Sequence, residues 1–395
     1  MSEGEAAALP PPLVSERLGE IQLAMREAKL EGWLLADHRG QNALALRALG
    51  LGPETGRAAP LRRLFYWLPS DGMPVLIAHA LELAAMPELP GEQIGYASWA
   101  DLRRALERTL PTRGTIAMEH ATIAACPDVS RVEAGTVGLV ESYGGKVVPS
   151  IDLANAYVGT LREAELLALR ETVKTLAEVR AALPAKLRAG ATPRDVAREA
   201  RALGEERGLV LVDAMVAAGT ATRSWPRAPD GTTIGEREHV LVDLFARRGL
   251  GPVVHAGFVL TRGASKVGER LQRDARAMRE AAIERLEARL RKRERVLGFE
   301  VDEAARAAAA KLDRTSAIRH RTGSHVGTVP FSGEACTFDA VELPDTRAAL
   351  VHHAWSVHPG LYDDDLGARA QATVLATPGG LEVLDRSPDE PLVFG

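Results

Sequence analysis

The sequence contains little of what marks several large classes of protein. Only two of its 395 residues are cysteine, Cys126 and Cys336, and their wide separation excludes a CxxC metal or redox motif and a disulfide framework. Aromatic residues make up 4% of the chain, and the formal net charge of −4 lacks the basic excess typical of nucleic-acid-binding proteins. No apolar run reaches the roughly 20 residues that a membrane-spanning helix needs. We therefore expect neither nucleic acid nor a membrane as a partner.

The rest of the composition is typical of a large globular protein. Hydrophobic residues account for 46% and charged residues for 26% of the chain, and the length predicts two domains or three. The N-terminal segment MSEGEAAALPPPLVSERL lacks the basic and apolar regions of a signal peptide, so we expect the protein in the cytoplasm. Residues 1–13, acidic and then proline-rich, are predicted to be a disordered lead-in.

A first domain is predicted over residues 14–158. The run SERLGEIQLAMREAKLEG has apolar residues at helical spacing, with Ser15 as a candidate N-cap and Gly32 as a candidate stop. The following segment WLLAD is predicted to be a strand, and RRLFYWLPSDGMPVLIAH a hairpin of two apolar runs around a turn. Helical stretches then alternate with apolar strands up to about residue 150. This alternation indicates an α/β domain.

A second domain is predicted over residues 159–395. It opens with a long amphipathic helical pattern, LREAELLALRETVKTLAEVRAALPAKL. Thr192, Pro193 and Asp195 then combine an N-cap, a proline at the first helical position and a capping-box-like acid, which predicts the start of another helix. The highly charged helix predicted over 269–296 carries charges of both signs, as a solvated face does. The remainder is rich in strands and turns.

Four segments of the second half carry a resemblance to a known family. They are, in order, MVAAGTATRSWPRAPDG, VLVDLFARRGLGPVVHAGFVLTRG, HRTGSHVG and WSVHPGLYDDDLGARAQATVLATPGG. They resemble the pita-bread family of methionine aminopeptidases, Xaa-Pro peptidases, prolidases and creatinase, and the N-terminal half resembles the lead domain of the Xaa-Pro dipeptidase branch. The resemblance implies an α/β (α+β) fold class. The implied fold consists of a mixed α/β creatinase-like N-terminal domain and a C-terminal pita-bread domain with a curved antiparallel sheet flanked by helices.

The resemblance also implies a metal site, and this sequence departs from it. Active family members bind two divalent ions through two Asp, one His and two Glu, and such a metal pair activates a shared water. The matching positions in this chain are Asp243, His255, Ser324, His358 and Gln371. Asp243 alone has the family's ligand type. The histidine that follows Thr322-Gly323 in this sequence comes one residue late, as His325, and on a strand that shift turns its side chain to the other face.

Positions that face the substrate in the family have changed as well. Arg227 in SWPRAP and Phe331 in TVPFSG each replace a histidine, whereas Arg369 is retained two residues before the last ligand position. The backbone-shaping residues also survive, namely Gly323, Gly327, Pro359, Gly360, Tyr362 and Gly367. The resemblance therefore implies a scaffold that is kept without its dinuclear metal centre, and we expect no cofactor.

Two functions remain open from the sequence. In one, the chain is a catalytically degenerate homologue of Xaa-Pro dipeptidase, a pseudoenzyme whose cavity binds a small molecule or peptide or serves regulation. In the other, Asp243, His255 and His358 hold a single divalent ion, as three protein ligands plus water do in zinc enzymes, and the chain is an active peptidase or amidohydrolase. A Ser324/His325 nucleophile pair is disfavoured because neighbours on a strand face opposite sides. The resemblance further implies a homodimer.

Overall fold

The structure, a computed structural model, describes residues 11–52, 55–224, 229–263 and 268–395. The chain divides between Val158 and Gly159 into two compact units. Most of the predicted lead-in, residues 1–10, lies outside the described residues, and so does Arg227. None of the helices in the described ranges is long and apolar enough to cross a membrane.

The first unit is built on one mixed sheet. Its strands are β1 (Gly32–Asp37), β2 (Leu64–Pro69), β3 (Val75–His79), β4 (Glu92–Tyr96), β5 (Thr115–Met118) and β6 (Lys146–Pro149). Their order across the sheet is β4-β3-β2-β1-β5-β6. Strand β1 pairs antiparallel with β2 and parallel with β5. Strands β2 and β3 pair antiparallel, which confirms the predicted hairpin.

Helices cover both faces of this sheet. They are α1 (Leu13–Glu16), α2 (Leu18–Glu27), α3 (Ala43–Ala48), α4 (Trp99–Thr109), α5 (Ala134–Glu141) and α6 (Ile151–Leu153). Successive side chains of the fully buried strand β1 enter two different apolar clusters, Trp33 and Leu35 in one and Leu34 in the other. Such alternation is expected for a strand with helices on both sides.

The prediction for the first helix is wrong at both of its ends. Helix α1 begins at Leu13, so Ser15 lies inside it rather than at an N-cap. The chain leaves the helical conformation at Arg17, where φ is −120° and ψ is 19°, and α2 starts immediately afterwards. Helix α2 ends at Glu27, and Gly32 is the first residue of β1.

The second unit is made of largely antiparallel sheets and of long helices. Its strands are β7 (Val210–Ala218), β8 (His239–Arg247), β9 (Val254–Arg262), β10 (Gly323–His325), β11 (Ala354–Val357), β12 (Gly360–Tyr362), β13 (Gly367–Arg369), β14 (Ala372–Thr377), β15 (Gly380–Arg386) and β16 (Leu392–Phe394). The helices are α7 (Glu163–Lys186), α8 (Pro193–Glu206), α9 (Glu269–Arg291) and α10 (Gly298–Lys311). The sheets have the orders β16-β9-β8-β7, β10-β11-β14-β15 and β12-β13. Among the described strands of this unit, β16 alone pairs parallel, with β9.

The start of α8 shows how local sequence sets an element of this unit. The Thr192 hydroxyl accepts from the Asp195 N–H at 3.2 Å, while the Asp195 carboxylate accepts from the Thr192 N–H at 2.9 Å. This reciprocal capping box, with Pro193 at the first helical position, is the predicted one. Helix α9 ends at Arg291, before the predicted end at 296, and it buries an apolar face that includes Met278.

Each sheet of the second unit has one face in an apolar core. On β8, Val242 and Leu244 pack into the cluster formed with α7 and α8. On β11, Trp355 and Val357 pack into the cluster formed with α9 and α10. Because side chains alternate along a strand, Asp243 of β8 points to the opposite, polar side of its sheet.

Candidate functional site

The pairing of β8 with β9 brings the first two candidate residues together. Asp243 is registered with Gly257, and Phe245 with His255, so all four lie on one face. Gly257 leaves the position opposite Asp243 without a side chain, and the His255 ring occupies that space. A Cβ at residue 257 would lie 2.8 Å from Asp243 Oδ1 and 3.2 Å from His255 Nε2. Close approach of these two side chains therefore requires glycine at 257.

The second sheet contributes a row of hydroxyl groups. Ser356 of β11 is registered with Ser324 of β10 on one side and with Thr373 of β14 on the other. Gln371, directly before β14, donates from Nε2 to Ser356 Oγ at 3.3 Å and to Thr373 Oγ1 at 3.0 Å. It also donates to the His255 carbonyl at 3.0 Å, which ties this sheet to β9.

A continuous set of hydrogen bonds joins the two sheets through His255. Its Nε2 lies 2.6 Å from Asp243 Oδ1, and its Nδ1 lies 2.7 Å from Ser356 Oγ. The ring stacks on Phe245, with centroids 4.6 Å apart and an interplanar angle of 9°. Asp243, His255 and Ser356 are almost completely buried. The imidazole is thus fixed in both position and orientation.

Arg369 extends the same set of bonds on the other side of Asp243. It donates from Nη1 to Asp243 Oδ1 at 2.8 Å and from Nη2 to the Tyr362 hydroxyl at 2.8 Å. The Tyr362 oxygen lies 2.9 Å from His320 Nε2, and His320 Nδ1 lies 2.7 Å from the Arg321 carbonyl. His320 therefore donates from Nδ1 and accepts the Tyr362 hydroxyl hydrogen at Nε2, the pattern of a neutral ring.

Burial keeps the histidines of this cluster neutral. It is the main cause that lowers the pKa of His255, and Asp243 opposes this shift. Burial likewise lowers the pKa of His320 to about 3 and holds the pKa of His358 well below its usual value. For Arg369, burial lowers the pKa, but Asp243 and Tyr362 outweigh it and the net shift is upward. The cluster thus contains one guanidinium paired with one carboxylate, and neutral rings around them.

His358 and Phe331 line the same region. His358 Nδ1 donates to the Ser356 carbonyl at 2.8 Å, and its ring centroid is 5.5 Å from that of His255. The Phe331 ring lies 5.5 Å from His255 and 5.2 Å from His358, so it fills the angle between them. Phe331 has a φ of 52°, which is strained for a bulky residue. An aromatic wall therefore replaces the substrate-facing histidine that the resemblance implies.

Ser324 and His325 lie on opposite faces of β10. Ser324 shares the face of Ser356, and its Oγ accepts from Arg321 Nε at 3.1 Å. His325 is registered with Trp355 on the core side, and its ring centroid is 5.6 Å from that of His353. The structure thus separates Ser324 from His325. Sequence reasoning instead missed Ser356, whose signal is its place two residues before His358, on the same face of an extended segment.

The donor groups at the five ligand positions do not fit a pair of divalent ions. Such a pair carries four positive charges, whereas Asp243 supplies the one carboxylate at these positions and already accepts from Arg369. His255 has both ring nitrogens in hydrogen bonds to protein groups, so neither has a lone pair to give to a metal without breaking a bond. In the part of the chain that the structure describes, no group of three or more His, Cys, Asp or Glu side chains is arranged to hold a metal.

Comparison with known proteins shows the family to which the chain belongs. The profile of metallopeptidase family M24 matches residues 168–378, which is more than half of the chain. The chain belongs to metallopeptidase family M24. No curated protein sequence is significantly similar to it.

Solved structures match nearly the whole chain. The dipeptidase PepE from Mycobacterium ulcerans has a TM-score of 0.77 at 18% identity, with 96% of this chain and 98% of that one covered. The X-Pro aminopeptidase from Thermotoga maritima MSB8 has a TM-score of 0.70 at 17% identity, covering 96% and 99%. The N-terminal domain of the FACT complex subunit SPT16 from Cicer arietinum (chickpea) has a TM-score of 0.70 at 9% identity, covering 97% and 98%. These matches confirm the expected pita-bread fold and its N-terminal domain.

Proposed function

We propose that this M24 family member is a pseudoenzyme that lacks the dinuclear metal chemistry of an Xaa-Pro dipeptidase. Its cavity serves as a binding or regulatory site for a small molecule or peptide. The observation that carries the proposal is the set of side chains at the five metal-ligand positions. Asp243 supplies the one carboxylate among them, and it is already paired with the Arg369 guanidinium. Two adjacent divalent ions at this charge balance would repel each other and Arg369 without compensation.

The expected loss of peptidase activity follows from magnitudes. A bound metal can lower the pKa of its water from 15.7 to about 7, and it stabilises the developing oxyanion by several kcal/mol. Each 1.36 kcal/mol corresponds to about tenfold in rate, so losing both effects removes many orders of magnitude. Arg369 cannot substitute as a base, because a guanidinium stays protonated. We therefore predict no measurable hydrolysis of Xaa-Pro dipeptides, even with added manganese.

An active enzyme with a single ion is the alternative, and one observation favours it. Asp243, His255 and His358 do lie in one cluster, with the two imidazole centroids 5.5 Å apart. To bind an ion there, His255 must give up its bond to Asp243 or to Ser356. The pseudoenzyme requires no such rearrangement.

Metal analysis and a dipeptide assay distinguish these functions. The protein, purified and dialysed against manganese or zinc, is analysed for bound metal by mass spectrometry and assayed on Xaa-Pro dipeptides. The control is the double variant Asp243→Ala, His358→Ala, prepared from the same host, because a trace of host prolidase would mimic activity. Stoichiometric metal, with activity that the double variant loses, would establish the single-ion enzyme and overturn our proposal.

We further propose that the protein is a cytoplasmic homodimer. The family resemblance supports the dimer. The two cysteines, both buried and without a disulfide in the described structure, support a reducing compartment.

A further inference from the structure

Three side chains of the site form an acid, base and hydroxyl array that the proposed binding role does not use. Asp243 Oδ1 lies 2.6 Å from one nitrogen of His255, and Ser356 Oγ lies 2.7 Å from the other. Both distances are those of good hydrogen bonds. Asp243, His255 and Ser356 come from three strands, β8, β9 and β11, in two sheets, so no local sequence motif predicts the array.

The bonding partners determine where the hydrogen atoms are. Asp243 Oδ1 also accepts from Arg369, which is the situation of an ionised carboxylate. A carboxylate only accepts, so His255 carries its hydrogen on Nε2 and donates it to Asp243. The Nδ1 atom of the neutral ring is then an acceptor, and the Ser356 hydroxyl donates to it. The N–H of Gln371 approaches Ser356 Oγ at 3.3 Å and takes one of its lone pairs.

This arrangement is held in place from several sides. Phe245 stacks on the His255 ring, Gly257 leaves room for the Asp243–His255 bond, and strand pairing fixes Ser356 between Ser324 and Thr373. Ser324 lies on the same face but is held by Arg321. The structure thus offers two neighbouring serines in similar surroundings, of which only Ser356 bonds to an imidazole.

We propose that Ser356 is a nucleophile, activated by His255 as general base and oriented through Asp243, which accepts the acyl group of a small ester. The required geometry is a hydroxyl within hydrogen-bond reach of a base that a third group orients, and this array satisfies it without a metal. The nitrogen facing the serine is Nδ1 here, with the carboxylate on Nε2. The proposal goes beyond the binding role: the chain remains a pseudoenzyme with respect to the metal-dependent peptidase reaction, and a metal-free acyl transfer is added at the same site.

The reaction proceeds in two balanced halves. Ser356 Oγ bonds to the ester carbonyl carbon while its proton passes to His255 Nδ1, and the resulting imidazolium is stabilised by Asp243. The carbon–oxygen bond to the leaving alcohol then breaks, and His255 returns the proton to the alkoxide, which leaves an acyl-serine and a free alcohol. Water attacks the acyl group with the same proton transfers, releases the carboxylic acid and restores the hydroxyl.

Covalent labelling tests the proposal directly. The full-length protein is incubated with phenylmethanesulfonyl fluoride or with 4-nitrophenyl acetate, and the adduct is located by peptide mass spectrometry. We expect modification of Ser356 and none of Ser324. Ser356→Ala should abolish the adduct and the burst of nitrophenol, whereas the control variant Ser142→Ala, at an exposed position of the first unit, should keep both. Asp243→Asn, which favours the wrong histidine tautomer, should slow labelling about 100-fold or more, as loss of a general base does.

Each other outcome overturns the proposal. An adduct on another residue, no adduct on folded protein, or a normal labelling rate in Asp243→Asn would show that the array is structural. Because the adduct is located on the wild-type protein, the test remains decisive even if Ser356→Ala does not fold. The Xaa-Pro dipeptide and metal assays are read separately, so a failure of this inference is distinguishable from a failure of the proposed function.

Discussion

A buried carboxyl group in the first unit gives a pH prediction. Glu119 directly follows β5, and its side chain is completely buried. Its carboxyl oxygens accept from Trp33 Nε1 at 2.5 Å, from Asn42 Nδ2 at 2.8 Å and from Ser150 Oγ at 3.2 Å. Burial nevertheless raises the pKa of Glu119 from 4.5 to about 7. These neutral donors therefore do not recover the full cost of removing the charge from water.

The pKa shift sets both the sign and the size of the effect. Between pH 4.5 and about 7, the folded protein keeps a proton on Glu119 that the unfolded chain has already released. Stability is therefore lost as pH rises through this window. A difference of roughly 2.5 pKa units at 1.36 kcal/mol each amounts to about 3 kcal/mol above pH 7. Because whole domains are stable by about 5–15 kcal/mol, this loss is measurable.

The variant Glu119→Gln removes the titration, so its stability should depend less on pH between 5 and 8 than that of the wild type. Urea unfolding is followed at pH 5 and at pH 8 by pulsed hydrogen exchange on peptides that span β1 and β5. These peptides report on the first unit separately from the second. Glu107→Gln, at an exposed position on α4, is the control for the loss of one carboxyl group. The quantity compared is the change in the free energy of unfolding between the two pH values, since the glutamine amide also alters the absolute stability. Equal pH dependence in wild type and Glu119→Gln would refute the reasoning.

Two further predictions concern packing and assembly. Gly257→Ala should destabilise the second unit by about 1–3 kcal/mol, because its Cβ falls 2.8 Å from Asp243 Oδ1 and must push apart the Asp243–His255 pair. Thermal unfolding measures this, with Gly135→Ala, whose Cβ meets nothing within 4 Å, as the control. Light scattering at micromolar concentration should give the mass of a dimer of 42.3 kDa chains, and a stable monomer would count against the proposed homodimer.

Local patterns in the sequence predicted much of the fold. The capping box at Thr192 and the hairpin of β2 and β3 depend on residues a few positions apart, and both are present. The first helix was misplaced because its end lies at Arg17, a residue with no intrinsic stop signal. Weak local preferences of this kind are decided by packing, which a single sequence does not display.

The candidate site was predictable only in part. The family pattern pointed to Asp243 and His255, and the structure brings the two side chains together. Ser356 acquires its role from a hydrogen bond across two sheets, to a residue 101 positions away in the sequence. Glu119 likewise follows an ordinary apolar strand, and only the tertiary structure shows that it is buried. Such contacts depend on long-range register, for which the sequence has no local signal.

The chemical character of the site supports a role beyond stability. Replacing a buried ion pair by apolar residues of similar volume is often neutral or stabilising, so a cavity kept only as scaffold has no physical need for one. This site instead holds Arg369 and Asp243 as a buried pair and adds a neutral imidazole bonded to a hydroxyl. Such a network is costly wherever a member is unsatisfied, and its bonded members hold one another in a fixed orientation. We therefore attribute this network to the proposed binding or reaction site rather than to packing alone.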